Sequence, residues 1–146
     1  MDNNTLIALV VVLAAALVIG HAGAGSAGPT DADINLLARI IDVEARGEPY
    51  RGKVAVGAVV MNRVRDPRFP DTIREVIYQP GQFYTAGLRN HPVPSADALR
   101  AAQAAVRGED PTGGALFFYN PDIARADAWW ASRPNKVRIG NHVFTH

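Results

Sequence analysis

The chain has 146 residues and no cysteine. That length fits one ordinary domain with a short tail or anchor left over, and it excludes a disulfide scaffold, Cys-ligated zinc, iron–sulfur clusters and a cysteine nucleophile. Apolar residues make up 48% and charged residues 20%, and 15 basic against 14 acidic side chains leave a net charge of +1, so neither wholesale disorder nor a nucleic-acid coat is expected.

In chain order, Leu6 to Ile19 is an unbroken apolar run, and no Asp, Glu, Lys or Arg occurs between Asn3 and Thr30. The run is shorter than the roughly 20 residues of a membrane-spanning helix, although the small, uncharged Gly20–Gly28 stretch extends it weakly. A cleaved secretory signal competes, with Ala22-Gly23-Ala24 as a small-residue cleavage site. Against it, Met1 to Thr5 lacks a basic residue and carries Asp2. The expectation is an uncleaved hydrophobic helix that holds the chain in a membrane or protein assembly through residues 6–19. Gly23 to Gly28 also matches G-x-G-x-x-G, but no strand precedes it and Pro29 follows, so it reads as a linker. Residues 1–29 are thus a hydrophobic segment and linker, and 30–146 the folded domain.

Thr30, Asp31 and Asp33 supply cap and first-turn acids for a helix ending near Arg46, with Gly47 and Pro49 as stop signals. A second helix over about Gly52–Val64 is apolar almost all round, which places it in the core. Thr72-x-x-Glu75 caps a short helix to about Tyr78. Gln79-Pro80-Gly81 ends it, and a long loop runs to Pro94. Ser95 caps an Ala-rich helix ending at Gly108. After the Asp110–Gly114 turn, Ala115–Tyr119 reads as a strand, and Val137–Phe144, broken by Gly140-Asn141, as a hairpin. The outline is α+β, mainly helical, with a small antiparallel sheet at the end.

The first helix carries the chemical signal. At about 100° per residue, Asn35, Arg39, Asp42 and Arg46 form a polar stripe, and Ile34, Leu37, Ala38, Ile41 and Ala45 a core stripe. Glu44 falls about 170° from the centre of the polar stripe, among Leu37, Ile40 and Ile41. A carboxyl group in apolar surroundings keeps its proton to higher pH and can act as a general acid. Glu48 reads as structural, capping or pairing with Arg46 or Arg51, and no second carboxylate has an apolar setting, whereas ordinary glycosidases use two. The chain lacks H-E-x-x-H, paired metal-ligand His spacing and G-x-S-x-G, so no metal and no nucleophile elbow is expected. Strand alternation puts Phe117 and Tyr119 on one face and Leu116 and Phe118 on the other. If the first face leaves the core, Tyr119 beside Asn120 suits stacking on, and hydrogen bonding to, sugar.

Glu44-Ala45-Arg46-Gly47-Glu48-Pro49-Tyr50 and Val54 to Val64 resemble the catalytic domain of the spore-cortex-lytic and cell wall hydrolase family. The resemblance continues through Phe69-Pro70-Asp71-Thr72-Ile73, Val76 to Phe83, Asp110 to Leu116, Tyr119-Asn120-Pro121 and Ile139 to Phe144, and so spans about Leu36–Phe144. It implies a lysozyme-like fold and cleavage of peptidoglycan glycan strands by lytic transglycosylation, at the bond between N-acetylmuramic acid and N-acetylglucosamine, with a 1,6-anhydro product. It puts the catalytic Glu on Glu44 and requires no cofactor. Gln82 and Phe83 join Tyr119 and Asn120 as candidates for the sugar cleft. The chain departs from the family's Ser/Thr-rich pattern at Tyr84-Thr85-Ala86-Gly87. The alternatives are muramidase-type hydrolysis by water, a non-catalytic glycan-binding or structural subunit and, further off, a zinc amidase. The expected place is the periplasm or cell envelope, anchored by the N-terminus, as for a phage lysin, or else a phage virion.

Overall fold

The structure, a computed structural model, describes residues 27–124, 129–134 and 136–146. The expected N-terminal hydrophobic helix lies outside them. Among the described residues, no helix is long and apolar enough to cross a membrane.

Helix α1 (Asp31–Ala45) starts where the sequence places it. The Thr30 hydroxyl accepts from the Asp33 N–H, and the Asp33 carboxylate accepts from the Thr30 N–H at 2.8 Å. These reciprocal bonds satisfy two donors that a helix start leaves open. They also hold the Asp33 carboxyl below its usual range, the Thr30 backbone bond contributing most. Helix α2 (Tyr50–Arg65) starts two residues earlier than expected, behind Pro49, which fits a helix entrance because its missing N–H costs nothing there. Helix α3 (Ile73–Tyr78) is capped by Thr72, and α4 (Ala96–Val106) by Ser95.

The core forms where α2 packs against α4 and α1. Leu37, Ile40 and Ile41 of α1 meet Val56, Val59 and Val60 of α2 and the Ala-rich face of α4, all essentially unexposed. Gly57 sets how closely α2 approaches. A Cβ there would lie 2.9 Å from the Ala105 Cβ and 3.2 Å from the Ile41 Cδ1. Gly57→Val is therefore expected to destabilise the domain by about 1–3 kcal/mol, because helices must separate to admit it. A thermal midpoint unchanged by this substitution would contradict that packing.

The sheet has strand order β1-β3-β2, built from β1 (Phe117–Tyr119), β2 (Val137–Ile139) and β3 (His142–Thr145). Both pairings are antiparallel, with Phe118 opposite Phe144 and Ile139 opposite His142. The two-residue turn between β2 and β3 puts Gly140 at φ 60°, and a Cβ there would collide with the Glu48 carboxylate.

One expectation changes. The loop to Pro94 contains a 3₁₀ helix, Thr85–Asn90, and a second, Trp129–Ser132, precedes β2. The face of β1 carrying Phe118 packs on the core, and the face carrying Phe117 and Tyr119 lies outside the core cluster and is half-buried. Trp129 meets Phe117 edge-on at 5.0 Å and Trp130 lies 6.0 Å from Tyr119, so that face is only partly covered. The polar stripe of α1 is partly covered. Asp42 is buried, its two carboxylate oxygens accepting from the Ser95 N–H (2.6 Å) and hydroxyl (2.7 Å). Arg39 donates to the carbonyls of His91 and Leu88. A helical wheel separates polar from apolar faces, but it does not say which loop will cover the polar one.

Candidate active site

Glu44 sits in the last turn of α1, ahead of Arg46 in extended conformation and Gly47 at φ 79°. That left-handed glycine turns the chain sharply towards Pro49 and leaves the end of α1 beside the loop after α3. The loop supplies one contact that matters: the Tyr84 N–H donates to Glu44 Oε1 at 2.6 Å. Burial raises the Glu44 pKa from 4.5 to about 7, and the Tyr84 N–H pulls in the opposite direction without overcoming it. The side chain as a whole is only half-buried. One face of the carboxyl group is thus desolvated while the residue keeps an open side.

The sugar-cleft candidates are placed unequally. Gln82 is buried, and its Oε1 accepts from Arg63 Nη1 at 2.9 Å. Phe83 belongs to the core cluster, 6.3 Å from Phe118. Both side chains therefore face inward beneath the loop that holds Glu44. Tyr119 and Asn120 are half-buried at the end of β1, with Asn120 Oδ1 accepting from the Asp122 N–H.

Arg63, which sequence reasoning passed over as part of an apolar helix, is the organising residue beneath the site. It is 2% exposed. Its Nε donates to the Leu116 carbonyl at 2.7 Å, and its guanidinium lies 5.1–5.3 Å from the rings of Phe69, Phe83 and Phe117. Burial lowers its pKa to about 10, so it remains a cation at neutral pH. One buried cation thereby ties the loop before Tyr84 to the approach to β1. A polar residue near the end of an otherwise core-facing helix was the available signal.

Glu48, expected in a structural role, capping or pairing with Arg46 or Arg51, accepts the Asn141 N–H at 3.1 Å. It anchors the hairpin turn beside His142, whose pKa burial lowers while Glu48 opposes the shift. Asp110 is structural as well. Burial pushes its pKa up, but bonds from the Thr112 hydroxyl, Asn62 and the N–H groups of Thr112 and Gly114 outweigh that and leave it lowered. A concavity of about 670 Å³ near Asp33, Met61, Val64 and Ile73 lies against the opposite end of α1 from Glu44. Among the described residues, no three His, Asp or Glu side chains gather as a metal site.

Residues 47–145 match the family model described as Cell Wall Hydrolase. The chain belongs to the cell wall hydrolase family. Glu44 lies just ahead of the matched residues. This cell wall hydrolase is 46% identical over 119 residues to a spore cortex-lytic enzyme of Halalkalibacterium halodurans, covering 81% of the chain and 36% of that protein. It is 34% identical to the cell wall hydrolase CwlJ of Bacillus subtilis, covering 79% of the chain and 85% of CwlJ. The chain thus spans less than half the length of the spore cortex-lytic enzymes it matches. Its fold matches the catalytic domain of the Bacillus cereus SleB protein with a TM-score of 0.78 at 39% identity, over 86% of the chain and all of that domain. It also matches the catalytic domain of the germination-specific lytic transglycosylase SleB of Bacillus anthracis, with a TM-score of 0.75 at 40% identity, over 82% and 98%. The mainly helical domain with a three-stranded antiparallel sheet is the SleB catalytic fold.

Proposed function

We propose that this cell wall hydrolase cuts peptidoglycan glycan strands by lytic transglycosylation at the cell envelope, with residues 30–146 as the catalytic unit and Glu44 as its acid and base. The observation that carries the reading is the Glu44 carboxyl group, kept protonated to about pH 7 by burial and held by a single N–H. Because Oε1 accepts the Tyr84 N–H, the neutral acid carries its proton on Oε2. That proton passes to the glycosidic oxygen as the bond from the muramyl C1 breaks. The carboxylate left behind is stabilised by the same N–H, now a charge-assisted bond. It then takes the proton of the muramyl 6-hydroxyl as that oxygen closes on C1, giving the 1,6-anhydro end and restoring the acid. The nucleophile belongs to the substrate, so no second carboxylate has to position water. The likeness to the catalytic domain of SleB of Bacillus anthracis, a germination-specific lytic transglycosylase, supports the same reading. Tyr119 and Asn120, at the rim of β1, are proposed as sugar contacts. Gln82 and Phe83 act from below, by holding the Tyr84 loop in place.

Mass spectrometry of muropeptides released from purified walls tests the reaction. Fragments are expected to be lighter by one water than reducing-end products. Reducing muramyl ends alone would replace transglycosylation with hydrolysis.

A further inference from the structure

We propose that the Tyr84 ring is the stacking platform for the glycan strand, taking one pyranose face beside the bond that Glu44 protonates. This rests on the function proposed above.

Four large aromatic side chains are exposed among the described residues: Tyr50, Tyr78, Tyr84 and Trp129. Three have a guanidinium over the ring. Arg100 lies 5.2 Å from Tyr50, Arg74 5.1 Å from Tyr78 and Arg133 4.8 Å from Trp129. Among the described residues, Tyr84 has neither a cation nor another aromatic ring on it, although it is 37% exposed. It is also the one whose backbone N–H meets the Glu44 carboxyl group. An open aromatic face is thereby rooted at the acid.

The ring is held rigidly. A Cβ on Gly87 would come within 2.9 Å of Tyr84 Cδ1, 3.2 Å of its Cε1 and 2.8 Å of Val43 Cγ1, so one ring edge rests on a glycine against α1. On one side of Tyr84, Arg63 holds Gln82; on the other, Arg39 holds the carbonyls of Leu88 and His91. A platform fixed before binding loses little conformational entropy when a ligand arrives. The apolar face of a pyranose, made of its axial C–H bonds, suits a flat ring with an open side, and the phenolic hydroxyl suits a neighbouring sugar oxygen.

The experiment measures turnover against the concentration of purified peptidoglycan for Tyr84→Ala, Tyr84→Phe and Tyr84→Trp. All three keep the backbone N–H on Glu44. Tyr84→Ala is expected to raise the half-saturating concentration about tenfold, with turnover at saturation within about threefold and the basic limb of the pH profile unmoved. Phe and Trp are expected to restore most of the affinity. An unchanged half-saturating concentration in Tyr84→Ala would overturn the proposal. So would a loss that Phe and Trp fail to restore, or a displaced pH limb, which would mean that the ring acts through Glu44. Failure of the catalytic reading has a different signature, namely activity retained by Glu44→Gln.

Discussion

Glu44→Gln is expected to lower turnover on purified cell walls by about 10²–10⁴-fold while the domain stays folded. The amide keeps an oxygen to accept the Tyr84 N–H, so the loop remains in place. What it loses is the transferable proton. Because the free acid must be protonated to act and its pKa is raised to about 7, kcat/KM of the native protein is expected to fall about tenfold per pH unit above neutrality. Stability carries the same signature. Between the unfolded value of 4.5 and the folded value of about 7, the native state binds more protons than the unfolded chain, so its stability falls as pH rises through that window. Gln has no such ionisation. The variant is therefore expected to gain stability over the native chain between pH 5 and 8, by about 1–3 kcal/mol at the upper end. Urea unfolding of both proteins at pH 5 and pH 8 measures it. Equal pH dependence of the two proteins, or near-native turnover by the variant, would remove Glu44 from its role.

Arg63→Ala is expected to cost about 3–5 kcal/mol, the largest loss of stability among these substitutions and a large fraction of the 5–15 kcal/mol typical of a domain. It empties the space between the rings of Phe69, Phe83 and Phe117 and removes the donors for Gln82 Oε1 and the Leu116 carbonyl. Buried acceptors without donors and a large-to-small cavity each contribute to that loss. Arg63→Lys keeps a charge but loses the planar fork that serves both acceptors, so an intermediate cost of about 2 kcal/mol is expected. Arg63→Ala within about 0.5 kcal/mol of native in chemical denaturation would show that the buried cation contributes nothing to holding the loop.

Most elements were legible because their signals are local. Thr30, Thr72 and Ser95 cap the helices the sequence assigns to them, since a side-chain oxygen three residues before an orphan N–H needs only its neighbours. Gly140-Asn141 marks the hairpin for the same kind of reason. Glu44 stood out on the wheel, and burial raises its pKa. The 3₁₀ helices at Thr85–Asn90 and Trp129–Ser132 were not legible, because short 3₁₀ segments have no hydrophobic period of their own and are held by what they pack on.

The sequence by itself determined the four α-helices, the sheet, the family and a carboxyl group set on the apolar side of its helix. Only the tertiary structure decided what meets that group. The Tyr84 N–H lies 40 residues along the chain from Glu44, Arg63 grips Gln82 across 19 residues, and Asp42 holds Ser95, the cap of α4, across 53. Periodicity tells which side of a helix is oily, because that side must leave water wherever it goes. Which backbone donor arrives at its end depends on how the loops close over the core, and no local pattern encodes that.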